Sequence, residues 1–310
     1  MVITVTLNPA VDKTLLVPGF SVDRVNRVQQ IITDAGGKGI NVSKSVQALG
    51  GQTCCLGILG GDTGDFIRSE LERMGLPHDM VMTRNATRTN IKIVDLDGRT
   101  NTDINEPGTA VTPEALILVE EKLYALASAG DTVVFAGKVP PGTPDDLLAR
   151  WTAELGNRGA RVCLDTVGVP MELALREKPF LIKPNVEELQ MLLGRELRTE
   201  QQLVDAAQEI ISMGVDLAAV SMGADGAFFV TAKEVVRTWS PKVSVVSTVG
   251  AGDAMMAALA HYSRTLDDLE SLARKATAVA SATVTVEGSK PAPLSLVQSL
   301  VHKIRVERYR

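Results

Sequence analysis

A chain of 310 residues, 45% of them hydrophobic and 22% charged, can bury a large core, which excludes a disordered protein. Its formal net charge of −5 argues against nucleic acid or an anionic membrane as the main partner. Three cysteines, two of them adjacent and none at a metal-ligand spacing, are typical of reduced, buried thiols in a cytoplasmic protein.

The first part of the chain predicts alternating strands and helices, followed by a different β segment. The alternating elements cover residues 1–7, 38–49, 53–59 and 62–74. Residues 90–96 and 99–105 alternate apolar and polar side chains around Asp97 and Gly98, which is a strong hairpin signal. With the turn-rich segment 12–33, this hairpin predicts a small sheet outside the main one, which we interpret as a lid.

The remainder of the chain returns to the α/β alternation. Thr112 and Pro113 open a helix as N-cap and first residue. Further strands and helices are predicted over residues 132–136, 144–157, 161–165, 180–183, 185–193, 199–213 and 217–221. Strands at 227–230 and 235–239 extend the sheet antiparallel, and two or three helices follow. This pattern predicts a doubly wound, mostly parallel sheet with ligands at the carboxyl ends of its strands.

Residues 248–253 are the most informative stretch of the chain. Glycines precede a small, helix-favouring run, so the first N–H groups of the helix would face a ligand with the positive end of the dipole. Asp253 fits such an anion site only if it faces a proton donor while the amides face phosphate charge, which suggests phosphoryl transfer to a hydroxyl. The alternative is an ordinary turn with Asp253 as N-cap.

Two motifs nearer the start of the chain follow predicted strands. Asp12 offers a carboxylate that accepts hydrogen bonds from two sugar hydroxyls, and capping a turn after Pro9 explains it equally well. Residues 36–42 place glycines and Lys38 at a helix start, where a lysine is unfavourable unless an anion or a hydroxylated ligand balances it. Their spacing departs from a Walker A loop, so phosphate binding of the P-loop type is not supported.

Three further motifs each leave two interpretations. Arg84 and Arg88 precede the hairpin, where an arginine could bind a phosphate of the substrate or remain solvated on a strand edge. Asn185 and Glu188 share a helix face, so they could hold a hydrated Mg²⁺ near triphosphate oxygens or form a capping box. Residues 221–227, with two glycines, predict only a turn between strands.

Together these motifs resemble the ribokinase-like PfkB carbohydrate kinases over nearly the whole chain. Residues 248–253 match the C-terminal signature of that family, and residues 36–42 match the N-terminal one. The resemblance implies one Rossmann-like α/β domain over residues 1–310. It also implies a small β-sheet lid formed by about 12–35 and 88–108, which often mediates dimers.

The same resemblance implies ATP and Mg²⁺ as cofactors and gives roles to the motif residues. The catalytic base maps onto Asp253, and the anion hole onto Gly250, Ala251 and Gly252. The nucleotide contacts map onto Lys183, Asn185, Ser221, Gly223, Gly226 and Thr248. Asn185 and Glu188 would hold Mg²⁺ through water.

Within the family, residues 8–12, 88–93 and 183–185 look most like the phosphosugar branch. By resemblance the sugar is held by Asp12, Gly37, Lys38 and Asn41, with Arg88 and Asn90 towards its phosphate. Where this branch usually reads Gly-Ser-Leu-Pro-Pro-Gly, the chain has Lys138 in place of the serine. A lysine there is a stronger but less directional phosphate partner, and it could equally signal a different substrate.

The sequence favours one substrate and leaves others open. By the same resemblance, residues 90–93 favour fructose 1-phosphate, with fructose 1,6-bisphosphate as the product; tagatose 6-phosphate and fructose 6-phosphate are alternatives. A kinase of an unphosphorylated sugar or nucleoside would leave Arg88 and Lys138 without a partner, and a non-catalytic regulator would not need Asp253. We expect no nucleic-acid or membrane partner, a homodimer through the lid and a cytoplasmic location.

Overall fold

The structure, a computed structural model, describes residues 1–309 and divides their strands between two sheets. The strands in these residues are β1 (Val2–Thr6), β2 (Ala10–Val17), β3 (Gln30–Gly36), β4 (Thr53–Gly60), β5 (His78–Thr83), β6 (Arg88–Asp95), β7 (Thr100–Asn105), β8 (Thr132–Ala136), β9 (Arg161–Asp165), β10 (Leu181–Ile182), β11 (Leu217–Ser221), β12 (Ala227–Val230), β13 (Val235–Trp239) and β14 (Arg305–Arg308). The α-helices are α1 (Lys38–Ala48), α2 (Gly61–Arg73), α3 (Pro113–Leu126), α4 (Leu147–Asn157), α5 (Val169–Leu175), α6 (Val186–Leu193), α7 (Glu200–Ser212), α8 (Ala251–Tyr262), α9 (Leu269–Thr283) and α10 (Leu294–Val301).

The larger sheet has the strand order β14-β13-β12-β11-β10-β9-β8-β1-β4-β5. β1 lies inside it and pairs in parallel with two strands from later in the chain, so that Val2 stands opposite both Thr53 and Thr132. β12, β13 and β14 extend the sheet antiparallel beyond β11. All five residues of β1 are buried, as expected of a parallel strand covered on both faces. The predicted doubly wound α/β fold is confirmed.

Helices cover both faces of the larger sheet. On one face α3, α4 and α7 bury Val119, Trp151 and Ile210. On the other face α1, α8, α9 and α10 form a second core that includes Val46 and Met256. The alanine-rich sequence of α8 allows close packing, and α8 lies directly against α1. The two helices that follow the signature motifs are therefore neighbours.

The small sheet has the strand order β3-β2-β6-β7 and includes the predicted hairpin. β2 pairs antiparallel with β3 and parallel with β6. In the hairpin turn, Arg99 is the left-handed residue, with a φ of 53°. Gly98 leaves room for the Asp95 carboxylate, which a Cβ at position 98 would overlap. That carboxylate accepts hydrogen bonds from the N–H groups of Gly19 and Asp97.

The two faces of the small sheet differ in polarity. Cross-strand register places Leu15, Ile31, Ile91, Ile93 and Ile104 on one face. Of these, Ile31 is 59% exposed and Ile104 is 53% exposed. The opposite face carries polar side chains that line a cavity: Asp12, Asp34, Asn90 and Lys92.

Four details differ from the sequence-based expectation. β5, α5 and β14 were not predicted, and α4 begins at Leu147 because residues 144–147 form a turn. β14 has a single apolar residue between charged ones, and a sheet edge tolerates such a sequence. α5 is short and has a glycine as its N-cap, so Pro170 and Glu172 in its first turn are its start signals and no side chain caps it. No helix between residues 1 and 309 combines the length and apolarity that crossing a membrane requires.

Candidate active site

Asp253 lies in the first turn of α8 and is only 7% exposed. Asn41, on the neighbouring α1, donates a hydrogen bond from Nδ2 to Asp253 Oδ2 over 2.9 Å. Both helices start after glycines in left-handed backbone conformations, with φ of 119° at Gly37 and 77° at Gly250, which glycine adopts without steric cost. The two signature motifs therefore meet at one buried carboxylate.

The surroundings of Asp253 make its carboxylate more basic than a free aspartate. Burial, followed by the charge of the nearby Asp165, raises the pKa of Asp253 to about 6. The hydrogen bond from Asn41 and the charges of Lys38 and Lys183 oppose this rise. A carboxylate with this pKa is ionised at neutral pH yet readily takes up a proton, which suits a general base.

Asp165, the last residue of β9, holds two lysines beside Asp253. Its Oδ1 accepts from Lys38 Nζ over 2.9 Å, and its Oδ2 lies 3.3 Å from Lys183 Nζ. Burial acts to raise the pKa of Asp165, but Lys183 and Lys38 outweigh burial and lower it. Burial acts to lower the pKa of Lys38, but Asp165 and Glu188 outweigh burial and raise it. The site thus has two fixed ammonium groups.

The amino terminus of α8 faces one of these ammonium groups. A Cβ built at Gly252 would lie 3.4 Å from Lys183 Nζ. Lys183 is 4% exposed, so its charge acts in a poorly solvated environment. The N–H groups of a first helical turn lack partners within the helix. Together with Lys183 they form an environment suited to an anion.

Asp12 lies on the polar face of the small sheet. It accepts a hydrogen bond from Asn90 Nδ2 over 3.0 Å. Burial raises the pKa of Asp12, while the bond from Asn90 and the charges of Lys44 and Arg88 oppose the rise. Position 36 needs glycine, because a Cβ there would overlap the Asp12 carboxylate. The motif at residues 36–42 thus contacts Asp12 as well as Asp253.

A cavity of about 430 Å³ lies between the small sheet and the loop before α8. Asp12, Asp34 and Asn90 line it from the sheet, and Thr248 lines it from the loop. Its polar wall suits a hydroxylated ligand, because carboxylates and amides are hydrogen-bond partners for hydroxyl groups.

Two predicted phosphate ligands are not among the residues that line this cavity, although the charge of Arg88 acts on Asp12. Arg88 donates to the backbone carbonyl oxygens of Glu106 and Asn8 over 2.8 Å and 3.2 Å, and it lines a separate pocket of about 40 Å³. Burial lowers the pKa of Arg88. Lys138 is exposed after β8, and within residues 1–309 no carboxylate lies within 4.0 Å of its ammonium.

A second cavity of about 760 Å³ lies at the end of β11, between the turn at residues 222–225 and the starts of α6 and α7. Asn185, Ser221 and Gly223 line it together with the unpredicted Arg237 and Trp239. The buried Arg237 guanidinium lies 4.6 Å from the Trp239 ring and donates to the carbonyl oxygen of Asp225 over 2.7 Å. These contacts hold the turn at residues 223–226 in place.

Asn185 and Glu188 form the capping box that was one of their two interpretations. Glu188 N–H donates to Asn185 Oδ1 over 2.8 Å, and Asn185 N–H donates to Glu188 Oε2 over 2.9 Å. Glu188 Oε1 is 3.6 Å from Lys38 Nζ. No group of three His, Cys, Asp or Glu side chains able to hold a metal occurs in the described part of the chain. A metal here would depend on water and phosphate oxygens.

Comparison with known proteins places this chain in a family. The family model for pfkB family carbohydrate kinases matches residues 5–295. The chain belongs to this family. Among curated relatives, this PfkB chain is 42% identical over 276 residues to a 1-phosphofructokinase of Rhodobacter capsulatus, covering 89% of this chain and 87% of the relative. It is 40% identical to a 1-phosphofructokinase of Xanthomonas campestris pv. campestris, covering 89% and 88% of the two chains.

A solved structure has the same architecture as this PfkB chain. It is the phosphofructokinase-2 from Escherichia coli in complex with substrates and products, with a TM-score of 0.93 and 28% sequence identity. The match covers 97% of this chain and 98% of that one. The backbone similarity therefore extends over nearly the whole of both chains.

Most of the predicted site residues of this PfkB kinase lie around Asp253, in the lining of the first cavity or in the lining of the second. Lys38, Asn41, Lys183 and Gly252 lie around Asp253. Asp12, Asn90 and Thr248 line the first cavity; Asn185, Ser221 and Gly223 line the second. Gly226 sits behind the second cavity with a φ of 97°, against the Thr238 carbonyl. Arg88 and Lys138 belong to neither cavity lining.

Asp165 and Arg237 are residues that the sequence reasoning missed. Asp165 carried a usable signal, since it is a charged residue at the carboxyl end of a predicted buried parallel strand. Arg237 carried none, because a single arginine in an apolar strand does not show that it will be buried against an aromatic ring.

Proposed function

We propose that this kinase transfers the γ-phosphoryl group of ATP to the 6-hydroxyl of fructose 1-phosphate, giving fructose 1,6-bisphosphate and ADP. The observation that carries the proposal is the buried Asp253, with its pKa raised to about 6, at a helix amino terminus faced by Lys183. Thr248 precedes this helix terminus and lines the first cavity. Lys183 is two residues before Asn185, which lines the second cavity. The names of the curated relatives support the choice of sugar.

In this mechanism Asp253 accepts the proton of the attacking hydroxyl. The hydroxyl oxygen forms its bond to the γ-phosphorus, while the bond from that phosphorus to the bridging oxygen of ADP breaks. Asn41 orients the carboxylate through its 2.9 Å hydrogen bond. The first-turn amides of α8 and the ammonium of Lys183 stabilise the negative charge of the transferring group.

The residues at the second cavity fit ATP with Mg²⁺. Glu188 presents a carboxylate beside Lys38, and Asn185 Oδ1 retains a lone pair after accepting one hydrogen bond. These groups suit a magnesium ion held through water, because Mg²⁺ usually keeps several waters beside triphosphate. When bound, Mg²⁺ neutralises charge on the phosphate oxygens.

The phosphate of the sugar is proposed to meet Lys138. This lysine is exposed and unpaired by any described carboxylate, while the two terminal nitrogens of Arg88 donate to backbone carbonyls and only its buried Nε has no partner. We expect ADP release with MgATP to be much faster with fructose 1-phosphate than with fructose 6-phosphate, tagatose 6-phosphate or fructose. Lys138→Met should raise the KM for fructose 1-phosphate about 10- to 100-fold, since a charge-assisted hydrogen bond is worth about 1.5–3 kcal/mol.

Lys303→Met is the matched control for Lys138→Met, because Lys303 is also exposed but lies after α10. The KM of Lys303→Met for fructose 1-phosphate should equal that of the unmodified enzyme. Faster turnover of unphosphorylated fructose would establish the neutral-substrate alternative, and an unchanged KM in Lys138→Met would remove that lysine from phosphate binding.

The small sheet is proposed to close over the sugar and to join two copies of the chain. Its polar face lines the sugar cavity, while its other face exposes Ile31 and Ile104. Burying this apolar face against a second copy would remove it from water. The double variant Ile31→Lys with Ile104→Lys should sediment as a monomer and the unmodified chain as a dimer. Val25→Lys, at a position 90% exposed outside the strands, should leave the dimer intact; a dimeric double variant would contradict this interface.

A cytoplasmic location fits this proposal. Cys54, Cys55 and Cys163 are free thiols, and the last two are buried. Burial raises the pKa of Cys55 to about 11 and that of Cys163 to about 12, which keeps both thiols protonated and unreactive.

A further inference from the structure

Lys44 is a buried lysine that the proposed reaction leaves without a role. It lies on α1, one turn after Asn41, and is 7% exposed. Its ammonium donates to the backbone carbonyl of Ala35, near the end of β3, and approaches Asn41 Oδ1 at 3.5 Å. Lys44 therefore bridges the small sheet and the side chain that contacts Asp253.

The contacts of Lys44 are not those of an ion pair. In the described residues no carboxylate oxygen comes within 4.0 Å of its ammonium. The charged and titratable groups facing it are Asp12 from β2, Asp34 from β3, Cys55 from β4, Glu70 from α2 and Asp253 from α8. Burial lowers the pKa of Lys44, and these groups oppose the decrease. Its short-range partners are one carbonyl and one amide oxygen.

The side-chain amide of Asn41 has two possible orientations, and Lys44 favours one of them. With Oδ1 towards the ammonium, Nδ2 is the group that faces Asp253. The reverse orientation would set an NH₂ group against the ammonium and a carbonyl oxygen against the carboxylate, and both contacts are repulsive. A cation at this position thus selects the orientation that donates to the base.

We propose that Lys44 is a positioning residue, which fixes the Asn41 amide towards Asp253 and couples this orientation to the end of β3. The inference rests on the proposed function, since it assigns Asp253 as the base. Because β3 belongs to the small sheet and its Gly36 contacts Asp12, movement of the sheet around a sugar also adjusts the hydrogen bond to the base.

The test compares Lys44→Met with Lys44→Arg in steady-state kinetics across pH. Lys44→Met should lower kcat about 10- to 100-fold and move the acid limb of the kcat profile to higher pH. In this variant the Asn41 donor is no longer held in place and Asp253 loses a nearby positive charge, while Lys38, Lys183 and Asp165 still face Asp253. The KM for MgATP should not change. Lys44→Arg keeps the charge and the donors, so it should restore both kcat and the acid limb.

Two outcomes would overturn the proposal. One is a Lys44→Met enzyme with unmodified kcat and acid limb; the other is equal loss in both variants with an unshifted acid limb, which would indicate packing alone. If Lys44→Met does not fold, Lys44→Gln replaces it with the same expected shift, because its shorter side chain cannot bridge Ala35 and Asn41.

A second measurement separates failure of this inference from failure of the proposed function. The pKa of Asp253 can be followed by ¹³C NMR of carboxyl-labelled aspartate without any substrate. Lys44→Met should raise it by about one unit, and an unchanged pKa would contradict the coupling. An unmodified enzyme that phosphorylates no sugar phosphate would refute the proposed function, while this titration would still test Lys44.

Discussion

Asp253→Asn is expected to reduce kcat about 10²- to 10⁴-fold, the usual contribution of a general base. The amide keeps the shape of the side chain and can still accept from Asn41, but it cannot take up the hydroxyl proton. The measurement is ADP release at saturating MgATP and fructose 1-phosphate. MgATP affinity, measured by calorimetry, should stay close to that of the unmodified enzyme.

The matched control is Asp205→Asn, an exposed aspartate on α7 that pairs with Gln201 over 2.8 Å. It should retain full turnover. A folded Asp253→Asn enzyme with near-normal turnover would show that another group removes the proton.

The raised pKa of Asp253 also predicts that ionisation of this carboxyl group increases turnover and lowers the stability of the fold. Activity needs the ionised carboxylate, so kcat should fall as the pH decreases through about 6. The folded pKa lies above the ordinary value of 3.8, so ionised Asp253 destabilises the fold at neutral pH. Asp253→Asn should therefore melt at a higher temperature than the unmodified protein above pH 6, and this gain should disappear below about pH 4. Equal melting temperatures at pH 8 would contradict it.

Asp165→Asn is expected to destabilise the folded protein by about 3–5 kcal/mol, the cost of leaving a buried charge unpaired. Lys183 is 4% exposed, and Asp165 is the carboxylate within 4.0 Å of it in the described residues. Lys38 retains Glu188 at 3.6 Å and is better solvated. Urea unfolding at pH 7 measures the loss as a lower transition midpoint.

The pH dependence of this loss has a definite sign. The pKa of Asp165 is lowered in the folded state, so its stabilisation is present above the ordinary aspartate pKa and is lost as the pH falls through the folded value. The difference between Asp165→Asn and the unmodified protein should therefore shrink in acid. Asp79→Asn is the control, because Asp79 forms an exposed pair with Lys122 at 2.6 Å that should contribute only about 0–1 kcal/mol. Equal losses in the two variants would contradict the role of burial.

The parts of the fold that the sequence predicted are those with local signals. The hairpin β6–β7 follows from alternating apolar and polar residues around a turn, and α3 follows from the Thr112 cap, which accepts from Ala115 N–H over 3.3 Å. The left-handed residue of that turn is Arg99, a detail that the alternation does not predict. Local sequence thus locates the turn, but it does not specify which of its residues is left-handed.

The parts of the site that the sequence could not predict depend on contacts between distant segments. Lys38 and Asp165 are 127 positions apart, and Asn41 and Asp253 are 212 apart. Neither pairing leaves a trace in spacing or periodicity. Arg88 stays a predicted phosphate ligand, and its two hydrogen bonds to the backbone carbonyls of Glu106 and Asn8 are further long-range contacts that the sequence does not announce.

The position of β1 inside the larger sheet affects how the protein is made. Val2 pairs with Thr53 and with Thr132, so the second partner is synthesised 130 residues after the first strand. At about 5–20 residues per second this takes roughly 6–26 s. During that time the apolar strand has an open hydrogen-bonding edge. An open strand edge can pair with other chains, so the solubility of the nascent chain depends on how fast the ribosome reaches β8 and on chaperones that cover β1 until then.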